Sequence, residues 1–273
     1  MSPGDVVSGL LEVTGLTKTF GGTPAVQDVS FALREGEVLG LVGESGSGKS
    51  TTVRCVVGLT EPDAGRVVYD GVDVRTARGA EMRRFRREVQ MVFQDPYSSL
   101  SPRMTVEEIV GEGLLVHRLA TGRAGRRDRV VEVLELVGLS AADLRRHPRS
   151  FSGGQRQRIA IARALAVAPR VLICDEPVSA LDVSVQAQVI NLLQDMRERL
   201  GLSVLFIAHD LAVVRQLCER LVVLDQGRVA ETGDRDQIYG APAHPYTQAL
   251  LAAIPLPDPA AERARRAAGR SST

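Results

Sequence analysis

The sequence predicts an α/β fold built on a parallel sheet, and three observations lead there. Short apolar runs without alternation recur at Val38–Val42, Val171–Cys174, Ser203–Ala208 and Leu221–Leu224. Such runs suit strands buried on both faces. Helical patterning separates the later runs, as strand–helix–strand units require. A glycine-rich loop, Gly43-Glu44-Ser45-Gly46-Ser47-Gly48-Lys49-Ser50, follows the first run directly. Parallel sheets bind ligands at that edge.

Taken in order, residues 10–38 read as β-rich, with Val29, Phe31 and Leu33 alternating with polar or small neighbours. Val38–Val42 feeds the glycine loop, and a helix is expected from Lys49. Val67 to Val74 reads as a hairpin turning at Asp70-Gly71. Val89 to Phe93 is a further short strand, ending at Gln94. From Asp95 to about Ser150 the texture changes: Pro96, Pro102 and a serine cluster make a loop, then Thr105 opens helical spacing at Val106, Ile109 and Val110. Val130 to Val137 repeats it, which predicts a helical subdomain inserted in the sheet. A helix is expected from Ser152 through about Val167. Asp225-Gln226-Gly227 turns into Arg228-Val229-Ala230, and the Ala/Arg-rich tail after Pro259 is expected to fray.

Composition narrows the function. The 273 residues allow one large domain or two small ones, and a 44% hydrophobic fraction supports a sizeable core. A net charge of +1 gives no footprint for nucleic acid or an anionic membrane surface. No apolar run is long enough to span a bilayer, and the N-terminus has no basic segment followed by an apolar one. The expectation is a cytosolic protein whose membrane attachment comes through a partner. Cys55, Cys174 and Cys218 lie far apart and read as buried small hydrophobes. Arg83–Arg87 and Arg123–Arg129 read as solvated helix faces or loops. Lys18 and Lys49 are the only lysines in an arginine-rich chain. A compact ammonium fits between phosphates where a planar guanidinium fits poorly, so Lys49 inside the loop supports a working phosphate site.

The loop fits the pattern G-x-x-x-x-G-K-[ST]. Its glycines let the backbone curl so that N–H groups point at phosphates, and the following helix adds its positive end. Lys49 is expected to bridge the β- and γ-phosphates and Ser50 to ligate Mg2+, with Thr51 beside it in the nucleotide-binding set. Asp175 and Glu176 end a buried strand; Asp175 can hold a Mg2+-bound water and Glu176 can act as general base. Gln94 and His209 also follow strands, suited to Mg2+ or the attacking water and to the γ-phosphate. Ser152-Gly153-Gly154-Gln155 fits a capping box. Its two glycines also leave a helix start bare for an anion, at a cost in helix propensity.

These motifs, in this order, resemble the ATP-binding subunits of ABC transporters over nearly the whole chain. The resemblance implies a P-loop NTPase core of the ABC ATPase type, with an N-terminal antiparallel β subdomain and an inserted α-helical subdomain. It implies ATP and Mg2+ as ligands. Two ATP molecules would be sandwiched head to tail between two subunits, Ser152, Gly153, Gly154 and Gln155 facing the γ-phosphate on the partner's loop. It further implies that Phe20 stacks on adenine and that Gln94 belongs to the loop sensing the membrane subunits. Asp182 would follow the catalytic Glu176, and His209 would be the switch histidine. Glu176, His209, Gln94 and Lys49 form the implied catalytic set, and Ser50, Gln94 and Asp175 the implied metal set.

Phe93-Gln94-Asp95-Pro96-Tyr97-Ser98-Ser99-Leu100-Ser101-Pro102-Arg103-Met104-Thr105-Val106 is similar to the oligopeptide/dipeptide importer subfamily. So are Pro177-Val178-Ser179-Ala180-Leu181-Asp182-Val183-Ser184-Val185-Gln186 and the ending Pro242-Ala243-His244-Pro245-Tyr246-Thr247-Gln248-Ala249-Leu250-Leu251. Tyr97-Ser98-Ser99 and Val178-Ser179 are closer to its F-type ATPase subunit. The implied partners are a D-type ATPase subunit, or a second copy in isolation, two membrane permeases and, indirectly, an external substrate-binding protein; the implied place is the cytoplasmic face of the cell membrane.

The implied division is an ATPase domain over 9–240, with its helical part at about 95–165, an extension over 241–259 and a disordered tail over 260–273. Phe20 stands where tyrosine is common, Phe151 where leucine is common and Ser101 where asparagine is frequent. None of these removes a reacting group. His244 is a lone histidine in a proline-bounded loop and reads as structural. Peptides are the implied cargo, with nickel complexes or glutathione as alternatives carried by similar ATPases. A nucleic-acid-associated ABC ATPase is disfavoured by the single cassette and the missing basic patch, and a non-hydrolysing subunit by the presence of Glu176 and His209.

Overall fold

The computed structural model describes residues 9–95, 99–120 and 122–253. Pro96, Tyr97 and Ser98, the last residues of the extension and the expected tail over 260–273 lie outside them.

Strands β1 (Leu11–Phe20) and β2 (Thr23–Leu33) form a long antiparallel hairpin turning at Gly21-Gly22. β1 also pairs with β4 (Ala64–Tyr69), which turns at Asp70-Gly71 into β5 (Val72–Asp73), the hairpin the sequence predicts. Asp70 and Gly71 both take positive φ, 46° and 78°, as a tight two-residue hairpin requires. These four strands make an antiparallel sheet in the order β2-β1-β4-β5.

The second sheet has six strands: β3 (Val38–Val42), β6 (Val89–Val92), β7 (Val171–Asp175), β8 (Ser203–Ala208), β9 (Arg220–Asp225) and β10 (Arg228–Asp234). Their order is β10-β9-β3-β8-β7-β6, parallel throughout except for the β9–β10 hairpin. β3, β7 and β8 are buried along their whole length, which explains their unbroken apolar composition.

Alternation survives as a division between two cores. Val38, Val42, Val204, Phe206 and Ala208 face the core shared with the helices, whereas Leu39, Leu41, Leu205 and Ile207 face the core under the antiparallel sheet. The helical part comprises α3 (Val106–Val116), α4 (Gly122–Leu136) and α5 (Gly153–Leu165), joined to the first core through Ile109, Val110, Val133, Leu134, Ile159 and Ile161. Thr105 caps α3, accepting from Glu108 N–H while the Glu108 carboxylate accepts from Thr105.

The remaining helices are α1 (Lys49–Val56), α2 (Gly79–Glu88), α6 (Val183–Leu200), α7 (Leu211–Leu217), α8 (Arg235–Gly240) and α9 (Pro245–Ala252). Arg83–Arg87 lie on α2, where Arg84 and Arg87 pair with Glu88, and Arg84 also with Asp70. All three cysteines are buried and free. No helix among the described residues is long and apolar enough to cross a membrane.

What positions the site is the register of the parallel strands. Val42 lies beside Ala208, Asp175 beside Ile207 and Val92 beside Cys174. The residues just past those ends (Gly43, Glu176, His209 and Gln94) therefore emerge along one edge of the sheet.

Candidate nucleotide site

The loop between β3 and α1 is shaped by glycines that no other residue could replace. A Cβ on Gly43, at φ 151°, would meet the Leu224 carbonyl oxygen at 2.3 Å; one on Gly48, at φ 99°, would meet the Ala25 carbonyl oxygen at 2.4 Å. The curl turns Lys49 back on its own loop, where Nζ donates to the Gly43 and Glu44 carbonyls at 2.8 Å each. Lys49 is 4% exposed. Burial pulls its ammonium below the usual lysine range, against the opposing pull of the Glu176 and Asp175 carboxylates. Ser47 Oγ is buried without a hydrogen-bond partner among the described residues, and no side chain caps α1. The buried ammonium lining the cavity and the uncapped helix amides together fit a multiply charged anion.

Opposite the loop, Asp175 ends β7. Its Oδ1 accepts from Ser50 Oγ at 3.1 Å, which joins the two sides of the site. Burial pushes the Asp175 carboxyl above the usual range; the neighbouring Glu176 charge adds to this and the Ser50 bond opposes it. Serine and aspartate oxygens are hard donors suited to Mg2+. Among the described residues no three His, Cys, Asp or Glu side chains cluster as a self-sufficient metal cage.

Glu176 takes the left-handed conformation, φ 45°, uncommon for a residue with a side chain, and its N–H donates to the Ile207 carbonyl at 3.0 Å. Its carboxylate gathers three groups. Gln94 Nε2 donates to Oε2 at 3.0 Å, His209 Nδ1 lies 3.3 Å from Oε2, and Lys49 Nζ lies 3.9 Å from Oε1. The four strand-end residues singled out in the sequence thus meet, directly or through Lys49 and Ser50, around a cavity of about 580 Å3. Glu44, Ser45, Gly46, Gly48, Lys49, Ser50 and Thr51 form its floor, with Gln94, Glu176 and His209 on the far side.

Other sequence candidates lie outside this cavity. Phe20 stands at the tip of the β1–β2 hairpin, half exposed, with Lys18 Nζ 5.4 Å from its ring centre. Asp182 caps α6, accepting from Val185 N–H at 2.9 Å. Ser152 and Gln155 form the capping box the sequence predicts: Ser152 Oγ accepts from Gln155 N–H and Gln155 Oε1 accepts from Ser152 N–H. One of the two glycines also has a packing role. A Cβ on Gly154 would meet Val185 Cγ1 at 2.4 Å, so that glycine lets α5 pack against α6 within the same chain. Gly153 has only an ordinary contact, 3.4 Å from Leu181 Cδ2.

Sequence reasoning missed one side of the cavity. Leu250 on α9 and Ala253 just beyond it line the cavity together with Ala25, and Glu44 N–H donates to Tyr246 Oη at 3.0 Å. The sequence reads His244 as a lone histidine in a proline-bounded loop, whereas it caps α9, and nothing in the sequence tells where that helix docks.

Comparison with known proteins gives the family. Residues 26–179 match the family model described as ABC transporter, and residues 230–273 match the oligopeptide/dipeptide transporter C-terminal region. The oligopeptide transport ATP-binding protein OppF of Bacillus subtilis is 51% identical over 261 residues, covering 94% of this chain and 86% of that protein. The dipeptide transport ATP-binding protein DppF of Lactococcus lactis is 49% identical over 263 residues, covering 94% and 84%. An ATP-binding cassette solved as a dimer in a post-hydrolysis state with ADP and Pi is 32% identical with a TM-score of 0.74, covering 82% of this chain and 98% of that one. The chain belongs to the ATP-hydrolysing subunits of ABC transporters, in the branch that carries the oligopeptide/dipeptide C-terminal region.

Proposed function

We propose that this chain hydrolyses ATP to drive peptide import, working as one of a pair of ATPase subunits at the cytoplasmic face of the membrane. The observation that carries the reading is the carboxylate of Glu176, held by a hydrogen bond from Gln94, 3.3 Å from His209 Nδ1 and 3.9 Å from Lys49 Nζ beside the glycine loop. Lys49 and the loop amides hold the β- and γ-phosphates. Glu176 takes the proton of the attacking water, with Gln94 holding its carboxylate and His209 beside it. General-base assistance of this kind contributes about 10²–10⁴-fold. Ser50, Asp175 and the Gln94 amide oxygen are the protein groups that would hold Mg2+, which supplies charge neutralisation at the phosphates.

The helix start at Ser152–Gln155, where Ser152 and Gln155 are exposed and Gly154 is buried, does not line this chain's own cavity. It is proposed to complete a partner's, a D-type subunit or a second copy, and Phe20 to stack on adenine. ATP then draws two subunits together, and hydrolysis with phosphate release lets them part. Two permeases would take up that motion near Gln94, and an external binding protein would deliver cargo.

Peptides are assigned as cargo from the OppF and DppF relatives. Purifying the assembled complex with its binding protein and identifying the retained ligand by mass spectrometry tests this. Peptides are expected; a nickel complex or glutathione alone would redirect the assignment.

A further inference from the structure

The peptide unit joining Gly43 to Glu44 is held at both of its polar ends. Its carbonyl oxygen, on Gly43, accepts from Lys49 Nζ at 2.8 Å. Its N–H, on Glu44, donates to Tyr246 Oη at 3.0 Å. One end is gripped by the lysine assigned to the phosphates, the other by a residue 202 positions away in the C-terminal extension.

That tyrosine is delivered on a docked support. The buried carboxylate of Glu231 on β10 accepts from the Ala243 and His244 N–H groups at 2.8 and 3.0 Å. His244 Nδ1 accepts from Tyr246 N–H at 3.2 Å and caps α9, and Gln248 Nε2 donates back to the Pro242 carbonyl at 2.9 Å. These bonds fix the approach of α9 to the loop. Leu250 and Ala253 then reach the same cavity.

We propose that Tyr246 is a positioning residue for ATP: it fixes the Gly43–Glu44 peptide, and through it Lys49, while α9 closes one side of the nucleotide pocket. Gly43 is the reason the bond matters. At φ 151° it occupies a region open essentially to glycine, and glycine resists rotation of the adjoining peptide least of all residues. Without the tyrosine hydroxyl nothing else in the described structure accepts from Glu44 N–H, and the carbonyl that orients Lys49 is free to turn with it. The consequence is an ATP site that depends on a segment outside the ATPase core. The inference rests on the reading of Gly43–Ser50 as the phosphate cradle.

The test compares Tyr246→Phe with Lys49→Ala in the full chain. Three quantities are read: Glu44 amide hydrogen exchange without nucleotide, the Kd for ATP with Mg2+, and phosphate release. Loss of one hydrogen bond that organises the site is expected to raise the Kd and KM about fivefold, with kcat at saturating ATP changing less. Glu44 exchange is expected to accelerate while the melting temperature without nucleotide holds.

Wild-type exchange at Glu44 and wild-type ATP affinity in Tyr246→Phe, alongside weakened binding in Lys49→Ala, would overturn this inference alone. Unchanged ATP affinity in Lys49→Ala would overturn the phosphate-cradle reading and the inference with it. Should Tyr246→Phe fail to fold, Glu231→Ala releases both docking amides of the extension; it is expected to weaken ATP in the same way, and undiminished affinity there would also overturn the proposal.

Discussion

Gln94 and His209 converge on a single oxygen of Glu176: the Gln94 amide donates to Oε2 at 3.0 Å, and His209 Nδ1 stands 3.3 Å from the same atom. They come from the ends of β6 and β8, strands that flank the one carrying Glu176. The sheet itself therefore aims the carboxylate.

Glu176→Gln keeps the size and most of the contacts but cannot accept a proton. It is expected to retain ATP affinity and to lose about 10²–10⁴-fold in turnover, or about 3–5 kcal/mol of barrier. Because binding survives, a nucleotide-bridged pair of subunits should also accumulate, visible as a shift to dimer on size-exclusion chromatography with ATP. Wild-type phosphate release by this variant would remove Glu176 from the role of base.

Lys49 is expected to act earlier, in binding. Its ammonium is buried and already shared between two loop carbonyls and the Glu176 carboxylate. Charge-assisted bonds to phosphate are worth about 1.5–3 kcal/mol, so Lys49→Ala is expected to weaken ATP by about 10–100-fold. Titration with a fluorescent ATP analogue reads this directly, and unaltered affinity would exclude the phosphate contact.

How far the sequence carried the fold depends on whether the signal was local. Val38–Val42 and Ser203–Ala208 were legible as strands to the residue, because strands buried on both faces need unbroken apolar composition. The glycine loop, Glu176, Gln94 and His209 were legible as a group because each lies just beyond a strand end, with Asp175 closing one of those strands, and neighbouring parallel strands end together. Helix α2 was harder: Arg83, Arg84, Arg86 and Arg87 mask its apolar face, where Phe85 is the buried hydrophobic residue. The Tyr246–Glu44 contact was invisible, because a hydrogen bond spanning 202 positions leaves no periodicity. Gly154 was legible as unusual, but its conflict with Val185 lies between two helices whose angle no motif specifies.

Asp175 should show a trade between stability and function. Its carboxyl is pushed above the usual range chiefly by burial, with Glu176 repulsion adding. A folded-state value raised above the unfolded one means that the folded state binds the proton more tightly. The charge therefore favours folding least once pH has risen through the folded value, and its cost is present at neutral pH. Asp175→Asn is expected to raise the melting temperature of the nucleotide-free protein at pH 7, with the gain shrinking as pH falls. Mg2+-dependent hydrolysis is expected to fall by about 10²-fold or more, as a barrier contribution of roughly 3 kcal/mol implies. A lowered melting temperature at neutral pH would show that the Ser50 bond outweighs desolvation.

Gly154 permits a separation of packing from chemistry. Its missing Cβ leaves the space that Val185 Cγ1 occupies, 2.4 Å from where that carbon would stand. The contact lies between the first turn of α5 and the first turn of α6, beside the Asp182 cap. Gly154→Ala must therefore displace a helix or force Val185 from its rotamer, an overpacking cost of about 1–3 kcal/mol. Val185→Ala removes the Cγ1 atom. The double variant is accordingly expected to recover most of the lost melting temperature, a coupling visible only because the two residues touch. Phosphate release by the paired subunits is the second readout. Recovery of stability without recovery of hydrolysis would mean that the methyl group also blocks the partner's phosphate from the helix start. Recovery of both would make Gly154 a packing residue and leave Gly153 alone to keep that helix end open.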